Sequence, residues 1–278
     1  MILKTKLFGH VYEFKSVCEV MAKANEEKSG DKLAGIAAET AEERVAAKVV
    51  LSHLTLNDLR NSPAVPYEED EVTRIIQDAV NETIFNEFKN MTVAEFREWL
   101  LDERTTTEMI RHASRGLTSE IVAGVCKLMS NLDLIYAAKK MRVSAHCNTT
   151  IGLPGTFSSR LQPNHTTDDP KGIIASVMEG LSLGCGDAVI GLNPVDDSLE
   201  SVARILKMFD EFKRKWEIPT QICVLAHVTT QTAAADKLGA PLDLMFQSIA
   251  GSQKGNEAFG LTAEMLDEGR ATMLSRGT

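Results

Sequence analysis

The sequence has no paired-cysteine motif, no long apolar run and no excess of basic residues, and each absence excludes a class of protein. Its five cysteines are scattered without a Cys-x-x-Cys pair, so neither a zinc knuckle nor a redox pair is indicated. Free thiols in a reducing compartment are expected instead. No apolar stretch of about 18 residues is free of charges, so we expect no membrane span. The first residues also lack the apolar core of a signal peptide.

The charge balance is acidic, with a formal net charge of −9. A negative surface argues against nucleic acid as the main partner and suits a cytosolic enzyme or a subunit of an acidic assembly. There is no His-Glu-x-x-His or other metal-ligand cluster, so no metal site is expected. No Gly-x-Gly-x-x-Gly follows a predicted strand, which weakens the case for a dinucleotide-binding fold.

The first part of the chain, residues 1–140, is predicted to be a mostly helical region that begins with a short hairpin. Alternating residues favour a hairpin over positions 1–15 with its turn at Gly9-His10. Ser or Thr followed three residues later by Glu is typical of a helix start. The predicted helices begin at Ser16 and cover residues 41–54, 72–88, 92–101 and 119–140.

The second part, residues 141–278, alternates strand-like and helical segments. Strands are predicted at 149–153, 188–192, 221–225 and 242–249, and helices at 170–183, 198–216, 231–238 and 262–275. Asp168 and Asp169 are expected to serve the start of the helix that follows them. Apolar strands separated by helices are typical of a parallel sheet covered on both faces.

Four strand–helix units fit either an open doubly wound sheet or half of a (β/α)8 barrel. The missing dinucleotide fingerprint favours the barrel, so the predicted fold class is α/β, with a partial (β/α)8 TIM barrel of about four units. Four units cannot close a barrel. Either a second copy or a partner supplies the remaining strands, or the chain is truncated at its C-terminus.

Polar side chains gather where the predicted strands end, which is where such folds place reactive groups. Arg160 and Gln162 are two residues apart, so an extended backbone projects both to the same side. A guanidinium and a carboxamide aimed together hold a small ligand by several directed hydrogen bonds. The other strand ends are similarly rich in amides and hydroxyls. They carry Asn164, Asn193-Pro194, His227 to Gln231 and Gln247-Ser248.

These loops are nearly free of carboxylates, so they recognise polar groups without performing strong acid–base chemistry by themselves. His227 is either a base or a structural histidine, and no Ser or Cys partner with motif spacing accompanies it. An aldolase-type barrel would need a Schiff-base lysine at a strand end, and none of the four predicted ends carries one. No catalytic residue is assigned from the pattern.

Several long motifs, in order, closely resemble the large subunit of ethanolamine ammonia-lyase. They are Thr149-Thr-Ile-Gly-Leu-Pro-Gly-Thr-Phe157, Arg160-Leu-Gln-Pro-Asn164, Gly186-Asp-Ala-Val-Ile-Gly-Leu-Asn-Pro194, Val224-Leu-Ala-His-Val-Thr-Thr-Gln231 and Phe246-Gln-Ser248. The N-terminal segments Leu7-Phe-Gly9, Ser29-Gly-Asp31, Glu43-Arg-Val-Ala-Ala-Lys48 and Leu117-Thr-Ser-Glu120 also look like that family. The resemblance runs over the whole chain.

The resemblance implies a (β/α)8 barrel that binds adenosylcobalamin over its C-terminal mouth and converts ethanolamine to acetaldehyde and ammonia by a radical mechanism. The cofactor performs the difficult chemistry, and the protein positions the substrate and shields the radicals. By the family's pattern, the substrate is held by Arg160, Gln162 and Asn193. The corrin is contacted by Pro194, Gln247, Ser248 and Phe259.

The resemblance further implies a small-subunit partner, an oligomer of large subunits and a location in the cytoplasm, within a bacterial microcompartment. Family chains are longer, and their later strands carry acidic residues that grip the substrate ammonium. His165 stands where the family pattern suggests an acidic residue. The alternative to an enzyme is therefore a catalytically incompetent truncated subunit that acts as an assembly or scaffold module.

Overall fold

The computed structural model describes residues 2–276, and the chain divides into two compact units, Met1–Arg142 and Val143–Thr278. Both units mix helix and strand. The first contains β1 (Lys4–Leu7), β2 (His10–Glu13), α1 (Val17–Lys23), α2 (Ser29–Leu33), α3 (Ala41–His53), α4 (Leu56–Arg60), a 3₁₀ turn (Tyr67–Glu69), α5 (Glu71–Asp78), α6 (Glu82–Phe88), α7 (Val93–Leu101), α8 (Thr107–Ser114), α9 (Ser119–Lys127) and α10 (Asn131–Lys140).

The N-terminal hairpin is confirmed, but its turn lies one residue earlier than predicted. Leu7 pairs with His10, which leaves Phe8 and Gly9 as the two turn residues. Their φ angles are 54° and 82°, the left-handed values that match the twist of a two-residue hairpin.

Two predicted long helices are each wrong, because a capping residue divides them. The predicted helix over 72–88 is α5 and α6, separated where the Asn81 carboxamide accepts a hydrogen bond from the Ile84 N–H at 3.1 Å. The predicted helix over 119–140 is α9 and α10, separated by a capping box between Ser130 and Asp133. A side chain that satisfies the free N–H groups starts a new helix within an otherwise continuous apolar pattern.

The core of the first unit is built by the hairpin together with α1, α3, α4, α7 and α9. Its fully buried side chains include Val20, Ala46, Leu51, Leu56, Val93 and Ile121. Phe88, Phe96 and Trp99 pack edge-on or tilted, with ring centroids 5.1–5.8 Å apart. Lys140 ends α10 by donating to the carbonyls of Leu100 at 2.7 Å and Asp102 at 2.6 Å, which fixes α10 to the end of α7.

The second unit contains β3 (Ala145–His146), β4 (Thr150–Ile151), β5 (Arg160–Leu161), α11 (Pro170–Ser182), β6 (Val189–Leu192), α12 (Leu199–Lys215), β7 (Gln221–Val224), α13 (Val228–Leu238), α14 (Gln253–Glu257) and α15 (Ala263–Ser275). Strands β5, β6 and β7 form one parallel sheet in that order. The predicted helices at 170–183, 198–216 and 262–275 are confirmed to within one residue at each end. The helix predicted at 231–238 begins earlier, at Val228.

Among the described residues, helices pack against one face of this sheet, contrary to the expectation that both faces are covered. Ile190, Leu192, Ile222 and Val224 point into a cluster with apolar residues of α11, α12 and α13. The opposite face, here called the open face, carries Arg160, Gln162, Val189, Gly191 and Cys223. Non-helical segments cover part of it through Cys147, Leu225 and Leu244.

The first predicted parallel strand, at 149–153, is wrong. Thr150–Ile151 pairs antiparallel with Ala145–His146 in a separate small hairpin, and Arg160 instead opens the first parallel strand. The Asn148 amide of this hairpin donates to the carbonyls of Asp187 and Pro219, which precede β6 and β7. The hairpin therefore lies at the edge of the sheet where its strands begin.

The fourth predicted strand, Leu242–Ile249, is also wrong, although the segment follows β7. Side chains replace the backbone ladder. The Asp243 carboxylate accepts from the Ile222 N–H at 3.0 Å, and the Gln231 amide donates to the Phe246 carbonyl at 2.7 Å. The described part of the second unit thus has three parallel strands and no closed barrel.

Candidate functional site

Arg160 and Gln162 lie together on the open face, as their two-residue spacing predicts. The Arg160 Nη1 donates to the Gln162 Oε1 at 3.0 Å. The Arg160 guanidinium carbon also lies 5.9 Å from the centroid of the Phe246 ring, at the outer limit of a cation–π contact. Both side chains of the pair are exposed, so the guanidinium has N–H donors directed into an accessible space.

The guanidinium crosses the central strand at a glycine. A Cβ placed on Gly191 would lie only 2.8 Å from Arg160 Nε and Nη2 and 2.5 Å from Cys223 Sγ. Those distances are far shorter than van der Waals contact, so both neighbours can take these positions only because residue 191 has no Cβ. The buried Cys223 thiol lies within hydrogen-bonding reach of Arg160. Burial raises the pKa of this thiol, and the adjacent cation partly opposes that rise.

Asn193 follows β6, and a side chain of the preceding loop fixes its backbone. The Asn193 N–H donates to Asn164 Oδ1 at 2.9 Å. Asn193 is exposed, and within residues 2–276 its carboxamide makes no hydrogen bond, so that group is free to meet a ligand. Pro194 is half-buried beside it.

The residues assigned to the corrin differ in whether their side chains are exposed or already bonded within the protein. Gln247 uses both ends of its amide internally, since Oε1 accepts from the Val228 N–H at 2.7 Å and Nε2 donates to the Ser248 carbonyl at 2.8 Å. The Ser248 side chain is exposed. The Phe259 ring, which follows α14, is 70% exposed.

His227 caps a helix. Its Nδ1 accepts from the Thr229 N–H at 3.3 Å and pairs with the Thr229 hydroxyl at 2.8 Å at the start of α13. Accepting at Nδ1 leaves the proton on Nε2, which is buried and has no hydrogen-bond partner within the described residues. This geometry is that of a capping residue, and it does not present a base to the open face.

The structure thus groups Arg160 and Gln162, with Gly191, Cys223 and Phe246 around them. Sequence reasoning did not single out these three as neighbours of the guanidinium. Each contact depends on the register of adjacent strands or on the path of the 242–249 segment, which local patterns do not encode. A glycine inside a strand was the available signal, because it often marks a close approach.

Two further properties concern the whole described range. Among residues 2–276, no group of three or more His, Cys, Asp or Glu side chains is placed to hold a metal ion. Over the same residues, no helix has the length and apolar character needed to cross a bilayer.

Fold and site together define a class: a mixed helix-and-sheet protein whose parallel sheet carries a guanidinium and carboxamides suited to a small polar ligand. Arg160 stands at the start of β5 and not at a strand end, contrary to the expectation from the sequence. A model of the family "Ethanolamine ammonia lyase large subunit (EutB)" matches residues 12–278. The ethanolamine ammonia-lyase large subunit of Escherichia coli (strain K12) is 58% identical over 271 residues, which are 98% of this chain and 60% of that protein. The large subunit of Salmonella typhimurium matches to the same extent, at 58% identity over 271 residues.

The chain belongs to the ethanolamine ammonia-lyase large-subunit family. It spans about three fifths of the length of the curated relatives that it matches.

Proposed function

We propose that this chain contributes substrate- and cofactor-contacting residues of an adenosylcobalamin-dependent ethanolamine ammonia-lyase, which converts ethanolamine to acetaldehyde and ammonia. The observation that carries the proposal is the Arg160–Gln162 pair on the open face, together with the exposed Asn193 carboxamide that follows the adjacent strand β6. The family membership supports the choice of substrate.

The chemistry of the three side chains fits an amino alcohol. Ethanolamine carries a hydroxyl and, near neutral pH, an ammonium group. The Arg160 guanidinium only donates, so it suits the hydroxyl oxygen and disfavours the ammonium. The carboxamide oxygens of Gln162 and Asn193 accept, so they suit the ammonium. We assign the hydroxyl to Arg160 and the amine to the two amides.

The residues assigned to adenosylcobalamin fit that group unequally. Ser248 and Phe259 offer an exposed hydroxyl and an exposed ring, and Pro194 offers a half-buried apolar face, as a large corrin requires. The Gln247 amide is bound to the backbone, so it would shape the loop that meets the corrin. When bound, the cofactor supplies the radical that starts the reaction, and the residues named here orient substrate and exclude water.

A helix-covered sheet with a polar open face is the arrangement of one segment of a (β/α)8 barrel wall, and we infer that β5, β6 and β7 are part of such a wall. The name of the relatives also supports a small-subunit partner for this chain. By the same analogy we propose assembly with further large subunits inside a bacterial microcompartment.

The test uses a chimera in which this chain replaces the matching segment of the Escherichia coli relative, prepared with its small subunit. We expect acetaldehyde release from ethanolamine under anaerobic conditions with adenosylcobalamin. Arg160→Ala should lower kcat/KM by about 100-fold or more, because charged hydrogen bonds to a bound substrate contribute several kcal/mol. Cobalamin binding, followed by its visible absorption, should persist.

Arg214→Ala is the matched control, since this arginine of α12 is exposed and forms an ion pair with Asp210 on the same helix. It should leave turnover unchanged. A chimera that assembles and binds cobalamin but releases no acetaldehyde would reject the enzymatic role and favour a scaffold module. Undiminished turnover in Arg160→Ala would reject the substrate role of this residue.

A further inference from the structure

We propose that Asp168, with Asn164, is a positioning residue that fixes the conformation of the Asn193 loop, defined here as residues 193–196. The loop presents the Asn193 carboxamide and the Pro194 ring. That these groups meet substrate and corrin rests on the proposed function, whereas the clamp on the loop is a property of the chain itself.

Every backbone N–H of this loop is bound by a side chain of the preceding loop. Asn193 donates to Asn164 Oδ1 at 2.9 Å. Pro194 has no N–H to satisfy. Val195 and Asp196 both donate to Asp168 Oδ2, at 2.8 and 3.0 Å. The loop therefore depends on side chains about 30 positions earlier in the chain, and no repeating backbone pattern holds it.

The burial and the backbone conformation of Asp168 both cost free energy, which its hydrogen bonds must offset. It is only 3% exposed, its φ is +51°, and its Oδ1 is buried without a hydrogen-bond partner among the described residues. A left-handed conformation and a buried carboxylate both cost free energy. The two charge-assisted hydrogen bonds to the Asn193 loop are the contacts that offset this cost.

The segment that carries Asp168 is itself fixed at both sides. His165 Nδ1 accepts from the N–H groups of Thr167 and Asp169, each at 3.3 Å. Asp169 caps α11 by accepting from the Gly172 N–H at 2.8 Å. Asp168 therefore projects from a rigid base, which allows its carboxylate to set the position of another loop.

Neither neighbouring helix uses Asp168 as a cap. The first turn of α11 is bound by Asp169, and the first turn of α12 is bound by Ser198, which accepts from the Ser201 N–H at 3.3 Å. Within residues 2–276, the Asp168 carboxylate accepts hydrogen bonds from the loop that carries Asn193 and from no other segment. Of the two aspartates expected to serve the start of α11, Asp169 does so as its cap, whereas the hydrogen bonds of Asp168 go to the Asn193 loop.

The first test measures amide hydrogen exchange by NMR on the chain itself, in Asp168→Asn, Asp168→Ala and the control Asp169→Asn. In Asp168→Ala the amides of Val195 and Asp196 should exchange about tenfold faster or more, because they lose their acceptor. In Asp168→Asn the increase should be smaller but measurable, because the remaining amide oxygen is an uncharged acceptor. The Asn193 amide should change less, since Asn164 holds it. Asp169→Asn should leave Val195 and Asp196 unchanged, because asparagine also caps a helix and the Asp168 carboxylate remains.

The second test measures ethanolamine kinetics in the chimera described above. Asp168→Asn should raise KM by about tenfold, whereas a variant that only lowers the folded fraction would reduce apparent kcat at constant KM. Asp168→Asn should retain more of the function than Asp168→Ala, because the amide keeps one acceptor oxygen.

Unchanged amide exchange at Val195 and Asp196 in a folded Asp168→Asn protein would overturn the proposal that Asp168 fixes the Asn193 loop. This measurement needs no substrate. Faster exchange with unchanged KM in an active chimera would overturn the positioning role. An inactive wild-type chimera would reject the proposed function alone, and the exchange result would still decide the clamp. Asp168→Asn serves as the deciding variant if Asp168→Ala does not fold.

Discussion

At the scale of single residues, the site depends on the absence of a side chain at Gly191. Because Gly191 has no Cβ, the Arg160 guanidinium can cross the central strand beside Cys223. Gln162 then fixes one end of that guanidinium through its Oε1. Any side chain at position 191 would compete for the same space, so this glycine limits where the guanidinium can lie.

Gly191→Ala is therefore expected to displace Arg160 from the open face. The added methyl would lie 2.8 Å from two guanidinium nitrogens, and the flexible arginine would move more readily than the strand. In the chimera, kcat/KM for ethanolamine should fall by about tenfold or more, while cobalamin binding changes little.

Gly30→Ala is the control for this substitution, because nothing lies within 4 Å of a Cβ built on Gly30 in α2. Its turnover should match the parent protein. If Gly191→Ala also keeps full kcat/KM, the guanidinium position is not limited by this glycine.

The sequence alone supports part of this residue-scale picture. Period-two spacing places Arg160 and Gln162 on one side, and their hydrogen bond shows that side chains two apart do meet here. The contacts with Gly191, Cys223 and Phe246 could not be predicted, because they depend on strand register and on long-range chain path. The Asp168 carboxylate illustrates the same limit, since its partners lie 27 and 28 positions away.

At the scale of elements, capping side chains decide where helices begin, and they override apolar periodicity. Thr92 and Glu95 form a full capping box at the start of α7, with reciprocal bonds of 3.1 and 2.8 Å. The same pattern at Ser16 is incomplete, because the Glu19 carboxylate bonds to the Lys15 N–H instead. Asn81 and Ser130 were missed as helix starts because they lie inside longer apolar patterns.

We expect Thr92→Ala to lower the free energy of unfolding by about 1 kcal/mol, which is the usual cost of losing such a cap. Helix α7 carries the buried residues Val93, Phe96 and Leu100, so loosening its first turn weakens the core of the first unit. Urea unfolding followed by the fluorescence of Trp99, in a background in which Trp216, the second tryptophan, is replaced by phenylalanine, would measure the change.

Thr83→Ala provides the matched control, because Thr83 is exposed within α6. Alanine has the higher helix propensity, so this variant should be equal or slightly more stable. Equal stability of Thr92→Ala and the parent protein would show that the capping box contributes nothing measurable.

The 242–249 segment shows why a predicted strand need not form. Part of its apolar surface packs inward, with Leu242 buried and Met245 half-buried in one cluster and Leu244 half-buried in the other, whereas Phe246 and Ile249 are exposed. The segment joins its neighbours through side chains and not through a backbone ladder. Its Asp243 carboxylate accepts from the Ile222 N–H and pairs with Lys213 at 2.5 Å, and its Phe246 carbonyl accepts from the Gln231 amide. Burial follows from composition, whereas the choice between backbone and side-chain partners is a tertiary effect.

At the scale of the whole molecule, the acidic net charge of −9 makes stability depend on how individual carboxylates are held. Asp187 is the carboxylate that joins the starts of two strands, since its Oδ1 accepts from the Ser159 N–H at 2.8 Å and the Ser159 hydroxyl at 3.1 Å. These hydrogen bonds, the backbone one foremost, lower the pKa of Asp187 below its ordinary value.

A depressed carboxylate pKa stabilises the folded state above the unfolded pKa, and this contribution is lost as pH falls through the lowered folded value. We therefore expect the free energy of unfolding of the second unit to decrease below about pH 4, the ordinary range of aspartate. Asp187→Asn should be less stable near neutral pH and should show a shallower loss in acid. Asp267→Asn, an exposed residue of α15, should keep the parent's acid dependence. Parallel pH curves for Asp187→Asn and the parent protein, measured by urea unfolding, would show that Asp187 does not tie β5 to β6.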